Sequence, residues 1–187
     1  MGKVIVLIST TPDGFAESQD VIIDCEFFEF TQSLMAVSEA VLFGRNTFLQ
    51  FQDRWPLRLK DENSPAFIKN MAQSLHDIQK VVFSSTLKTT TWQNSKIIEN
   101  LDSEYIKSFK NSRKGGLVTF GSLSLVESLI EMNLVDDYYF NIQPLIPGKG
   151  KNRFFNKVNL TKPQPLKYIN SVTMASGAHI IHYQNAD

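Results

Sequence analysis

The sequence holds a single cysteine, Cys25, in 187 residues. An internal disulfide and a cysteine-rich zinc site are therefore both excluded. Three histidines do not make up the shortfall. His179 and His182 stand three apart on an expected strand, which sends them to opposite faces, and His76 completes no ligand pattern. No metal is expected. Excess charge of either sign is also missing, since Lys+Arg and Asp+Glu are equal at 19 each. No general field favours nucleic acid or an anionic membrane, so any recognition of phosphate has to be local. Long hydrophobic runs are absent too. The opening MGKVIVLISTTPDG turns polar after a short apolar run, too short for a signal peptide or a membrane span. It starts Met-Gly, but Val6 stands where a myristoylation motif wants a hydroxyl. With no targeting element in view, a cytoplasmic location is the expectation. There is no G-x-S-x-G elbow, H-E-x-x-H helix, repeat, low-complexity tract or linker.

What is present suits one globular domain over residues 1–187, with a hydrophobic fraction of 42% at a length that can build a substantial core. Short apolar runs read as strands at residues 3–9, 39–44, 80–83, 96–99, 117–120 and 138–142. Helical spacing of apolar residues lies between them. It follows Asp20 (Ile23, Phe27, Phe28, Phe30, Leu34), opens again at Asn46 and is closed by Trp55-Pro56. It returns after Ser64-Pro65, over residues 102–110, and at Leu125, Val126, Leu129 and Ile130. Pro65 suits a first helical turn, where its missing N–H does no harm. Asn133 suits a left-handed helix end. Arg153-Phe154-Phe155 reads as a short element. Residues 165–174 and 178–184, separated by Ser176-Gly177, read as a closing antiparallel hairpin. The fold class is therefore α/β: three layers, a mostly parallel central sheet flanked by helices on both faces, with a C-terminal antiparallel hairpin. Such sheets bind ligands beyond the carboxyl ends of their strands.

Three turns at those ends share a character. Gly44-Arg45-Asn46-Thr47 follows the second strand, Ser84-Ser85-Thr86 the third, and Gly121-Ser122-Leu123-Ser124 the fifth. Each offers hydroxyls, a guanidinium or free backbone N–H groups, and two of them open helices. Three on one rim point to a ligand with separated phosphates. Arg45 is the strong cation among them and suits a terminal phosphate. The plainer use of Ser84, Ser85 and Ser122 is as turn and helix caps. Ser124 and Glu127 also fit a capping box. Lys149-Gly150-Lys151 lacks the rest of a phosphate loop and reads as a solvated turn.

Asp24 leads a stretch dense in Phe27, Phe28 and Phe30. Burial among those rings would raise its carboxyl and make it a proton donor, whereas a position at the helix start would keep it ionised. Phe28 and Phe48 are candidates for a flat ring pocket, though most of the fourteen phenylalanines should fill the core. Cys25 reads as a small buried residue.

In this order the motifs resemble the dihydrofolate reductase superfamily, and especially its riboflavin-biosynthesis reductase branch. TPDG (11–14), FGRNTF (43–48), FSSTL (83–87) and the long run 119–150 carry the resemblance, which covers nearly the whole chain. It implies a reductase that transfers hydride from NADPH to a small heterocyclic or ribosylated pyrimidine. The alternatives are a dihydrofolate or pterin reductase, or a non-catalytic NADP(H)-binding protein. Carried onto this sequence, Arg45, Ser84 and Ser85 hold the 2′-phosphate. Gly44, Asn46, Thr47 and the turn Gly121, Ser122, Leu123, Ser124 hold the diphosphate. Backbone at Ser9 and Phe15 meets the nicotinamide. Asp24 is the catalytic carboxylate, with Phe28, Phe48 and Asn141 at the substrate. A small-molecule substrate and a homodimer are implied, with no nucleic acid or membrane partner. One departure stands out: the family's glycine pair is here Gly121-Ser122, whose side chain would crowd a phosphate.

Overall fold

The computed structural model describes residues 2–112 and 114–186. Eight strands form one sheet: β1 Val4–Thr10, β2 Ser38–Gly44, β3 Gln79–Phe83, β4 Ser95–Ile98, β5 Gly116–Phe120, β6 Asp137–Ile142, β7 Leu166–Thr173 and β8 His179–Asn185. The helices are α1 Cys25–Ala36, α2 Arg45–Lys60, α3 Ala66–Asp77, α4 Ser103–Ser112 and α5 Leu123–Glu131. Strand order is β4-β3-β2-β5-β1-β6-β8-β7. Pairings from β4 through β6 are parallel, and β8 and β7 add an antiparallel hairpin.

The central strands are apolar throughout because both faces are covered. Successive residues of one strand enter different cores. Val4, Val6 and Ile8 of β1, with Ala40 and Leu42 of β2, pack against α4 and α5 through Ile106, Val126 and Leu129. Ile5, Leu7, Val41 and Phe43 face the other way, onto Phe28 of α1, Phe48 and Trp55 of α2, and Leu75 of α3. This is the expected three-layer arrangement. Asn133 has φ 52°, as its place after α5 suggested, and Gly177 bends the hairpin at φ 82°.

Four local expectations change. Pro56 lies inside α2, which runs on to Lys60. An interior proline costs about 3 kcal/mol in helix propensity. Burial of the neighbouring Trp55, 5.6 Å from Phe28 and 6.1 Å from Phe51, holds the helix across it. A 3-10 turn, Ser18–Asp20, ends at Asp20, residues 21–24 form no helix, and α1 begins only at Cys25. Cys25 is exposed, not buried. Arg153 forms an isolated antiparallel bridge with Phe15, so no regular element stands there.

Candidate functional site

Topology places the site. In the ladder Lys3 O and Leu7 O accept from Leu117 N and Gly121 N, whereas Val4 O and Thr10 O accept from Asp136 N and Gln143 N. Odd-numbered residues of β1 therefore turn their main chain toward β5, and even ones toward β6. β5 stops at Phe120, opposite Leu7. Ser9, the next odd residue, directs its N–H and C=O into the gap that β5 leaves. That gap is the point where the sheet divides, and two cavities meet beside it.

The larger cavity is a polar groove of about 920 Å³ crossing the carboxyl ends of the strands. All three predicted turns line it: Gly44 to Thr47, Ser84 to Thr86, and Gly121 to Leu125. From β3 across β2 and β5 to β1 is three strand spacings, about 14 Å. The groove is thus long enough for an extended ligand with anionic groups at separate points. The smaller cavity is an apolar hollow of about 180 Å³, lined by Leu7, Ser9, Phe27, Phe28, Trp55 and Phe120 among others. Ala16, Glu17, Thr47, Gly121 and Leu123 border both, so groove and hollow adjoin.

Two helices start at the groove with donors to spare. α2 is capped by Gly44 and α5 by Ser122, neither with a side-chain cap, and neither has an acidic residue in its first turn. Leu123 N–H already donates to Gly121 O at 3.1 Å, but the other first-turn N–H groups of the two helices carry their partial positive charge toward the groove. Arg45, the first residue of α2, is exposed. Among the described residues no carboxylate lies within ion-pair distance of it.

Ser122 resolves the departure from a glycine pair. It is 3% exposed, and its Oγ accepts from Gly44 N at 2.9 Å, joining the α2 and α5 turns. The hydroxyl is thus turned between the loops and does not crowd the groove. Gly121 carries the conformational demand instead: φ is +61°, and an added Cβ there would meet nothing within 4 Å. Ser122→Ala is expected to lower stability by about 1 kcal/mol, the net worth of one buried hydrogen bond. The denaturant midpoint checks this. An unmoved midpoint would mean that Gly44 N–H finds a partner without the hydroxyl.

Other expected residues separate. Ser84 is buried, and its Oγ accepts from Leu87 N at 2.9 Å, so it caps its own turn while Ser85 is exposed beside the groove. Ser124 is not the N-cap of α5. Its expected box partner Glu127 instead accepts from Lys157 N at 3.3 Å. Asp24 is half-buried and is the N-cap of α1, its carboxylate accepting from Phe27 N at 2.8 Å. It is not among the residues lining the hollow. Phe28 does line the hollow. Phe48 does not; it is fully buried between Phe43 and Trp92. Asn141 is fully buried beneath Ser9, donating Nδ2 to Ser9 Oγ at 2.9 Å, with Oδ1 left without a partner. With its oxygen occupied as an acceptor, the Ser9 hydroxyl must give its proton elsewhere, and Ser9 borders the hollow. Phe15 has its carbonyl taken by Thr11 N and its N–H by Thr11 Oγ1, while Ala16 borders both cavities in its place.

Sequence reading missed two groups. Glu17 borders both cavities and accepts from Asn152 N at 2.7 Å and Asn152 Nδ2 at 2.9 Å. The Asn152 N–H, aided by Lys151 N–H, outweighs partial burial and holds its carboxyl below the usual range. Arg54, also unremarked, is exposed at the rim of the hollow. Neither has a sequence signature, because each depends on what packs beside it. Among the described residues no three His, Cys, Asp or Glu side chains could hold a metal, and no helix is long and apolar enough to cross a membrane.

The family model of the RibD C-terminal domain matches residues 3–180. The uncharacterized protein YyaP of Bacillus subtilis (strain 168) is 28% identical over 188 residues, which is 98% of this chain and 95% of that protein. Among solved structures, a putative riboflavin biosynthesis protein from Shewanella sp. PV-4 has a TM-score of 0.72 at 16% identity, covering 99% of both chains. Dihydrofolate reductase from Enterococcus faecalis, solved with NADP(H) and RAB-propyl, has a TM-score of 0.65 at 13% identity, covering 100% of this chain and 98% of that one. At such identities the structural likeness is one of fold.

Proposed function

We propose, from the premise that this chain belongs to the RibD C-terminal domain family, that it is an NADPH-dependent reductase acting on a ribosylated pyrimidine or a related small heterocycle. The observation that carries the reading is the continuity of a polar, donor-rich groove with an apolar hollow at the point where the sheet divides. A dinucleotide has that same division between phosphates and a flat ring. The residues fit such a cofactor. Arg45 with Ser85 would hold the 2′-phosphate, and the N–H groups at the starts of α2 and α5 would hold the diphosphate. Ser9 N–H and C=O would pair with a carboxamide. NADPH, when bound, supplies a hydride.

The chain's own part is to orient the rings, exclude water and place one proton on the substrate. Glu17 and Arg54 are the titratable side chains of the hollow. Glu17 is held ionised by its donors, so it is a poor acid. The Ser9 hydroxyl, oriented by Asn141, would act as a relay, giving its proton to the substrate as it takes one from a solvent molecule. A pterin reductase working through Asp24 is disfavoured, because that carboxylate caps α1. A homodimer belongs to the same proposal and is checked by sedimentation.

Titration of NADPH fluorescence tests the first step, with saturable binding as the expected result. No binding at millimolar cofactor sinks the reading. Oxidation of bound NADPH is then followed across ribosylated pyrimidines, pterins and quinones. The pyrimidines should give the turnover, and binding without turnover on any of them would favour a non-catalytic NADP(H)-binding protein.

A further inference from the structure

The Lys149-Gly150-Lys151 turn, read from sequence as solvated, belongs to a strap that borders the groove. Lys151, Asn152, Arg153, Asn156 and Lys157 all line it. The strap is fastened to the loop after β1 at several points. Asp13 accepts from Gly148 N at 2.9 Å, Ala16 N donates to Asn152 O at 2.9 Å, and Phe154 N donates to Gly14 O at 3.0 Å. The Arg153 guanidinium lies 4.6 Å from the centre of the Phe15 ring. Gly150 passes so close that an added Cβ would stand 2.6 Å from Phe15 Cδ1. At its far end Lys157 N bonds to Glu127 of α5.

These contacts sort the charges of the groove. Its three carboxylates are Glu17, Glu99 and Glu127. Glu17 and Glu127 accept from strap main-chain N–H groups, and Glu99 lies 3.8 Å from Lys88. Glu17 and Glu127 therefore have donors already, and Glu99 has a loose ion pair. Lys151, Arg153 and Lys157 are exposed, and none is within ion-pair distance of a carboxylate among the described residues. Lys151 does feel Glu17, and Arg153 feels Asp13, at longer range. The carboxylates thus grip the backbone of the strap and leave its cationic side chains to the groove.

We propose that this strap is a cationic wall that takes the diphosphate of the dinucleotide, with Lys151 and Lys157 as the charges that engage it. The proposal rests on the NADPH reading above. Position decides which phosphate is meant. The strap is anchored beside β1 and α5, whereas Arg45, Ser85 and Thr86 follow β2 and β3, further along the strand order. A phosphate reached from the strap is therefore the one over the start of α5. The cost of neutralising it is shared between helix N–H groups on one element and ammonium groups on another.

The test compares two probes, NADPH and adenosine 2′-monophosphate, on the wild-type chain and on a Lys151→Ala/Lys157→Ala variant. Both side chains are exposed, so the fold should survive. The variant is expected to bind NADPH about tenfold more weakly at low salt, with a shallower dependence on ionic strength, because two surface charges have gone. Adenosine 2′-monophosphate lacks the diphosphate and should bind as before. A Lys151→Arg/Lys157→Arg variant should restore NADPH affinity. Unchanged NADPH binding, or an equal loss for both probes, overturns the proposal while leaving the cofactor reading intact. A wild-type chain that binds neither probe overturns both.

Discussion

Replacement of Arg45 by Ala is expected to weaken NADPH binding by roughly 10- to 100-fold, the equivalent of one or two charge-assisted hydrogen bonds. NADH, which lacks the 2′-phosphate, should change by less than about threefold, so the preference for NADPH collapses. Three features set the size of the effect. Arg45 opens α2, so its guanidinium adds to the positive end of the helix. It has no carboxylate partner, among the described residues, to release before it can bind phosphate. And the same end of the groove holds Glu99, whose charge opposes a phosphate. Lys88 offsets Glu99 only weakly, since the pair is 3.8 Å apart with side chains 70% and 65% exposed. Without Arg45, that end of the groove would have no strong cation among the described residues that line it. Equilibrium titration of the two cofactors against both proteins decides it, and an unchanged ratio removes Arg45 from the phosphate site.

Asp137→Ala should cost about 2–3 kcal/mol of stability, the range for leaving buried donors without their acceptor. Asp137 is 3% exposed and lies 2.8 Å from Lys3 Nζ, 2.7 Å from His182 Nε2 and 2.9 Å from Gln184 Nε2. It thereby joins the start of β1, β6 and β8, where the parallel sheet meets the antiparallel hairpin. His182 is buried and stacked 4.1 Å from Tyr139, so it cannot turn to water once its partner is gone. Denaturant unfolding measures the loss, and a midpoint close to that of the wild type would show that the network contributes little.

Acid should expose the same network. Desolvation pushes the Asp137 carboxyl up, but hydrogen bonds from Lys3, His182 and Gln184 outweigh it and hold the carboxyl below its usual range. A carboxyl depressed in the folded state adds stability above its unfolded value, and loses it as pH falls through the folded one. The wild type should therefore weaken progressively below about pH 4. Asp137→Asn should lack this part of the acid dependence. Parallel acid melts of the two proteins check the sign.

How much could be read in advance depended on how local the cause was. The three groove turns were legible because each is a break between a strand and the next segment, marked by glycine or hydroxyl residues within a few positions. Asp24 was ambiguous for the same reason. An acid before two phenylalanines suits both a buried proton donor and a helix cap, and only the path of α1 shows that it is the cap. Phe28 and Phe48 look alike in sequence, yet one borders the hollow and the other is sealed between Phe43 and Trp92. The difference lies in which face of which helix meets the sheet. Pro56 reads in sequence as the end of α2, since helix propensity is visible there and the anchoring contacts of Trp55 are not.

The sequence by itself determined the alternation of strands and helices, the closing hairpin, and the absence of disulfide, cysteine-rich zinc site and charge excess. These depend on residue type and spacing, which act over a few positions along the chain. Only the tertiary structure decided what Ser122 does, because its partner Gly44 is distant in sequence and adjacent in space. It likewise brought the basic turn at residues 149–151 to the edge of the groove, where Lys151 N and Asn152 N donate to Glu17 across 134 and 135 positions. Contacts of that length depend on strand order, and strand order is set by packing the whole sheet at once.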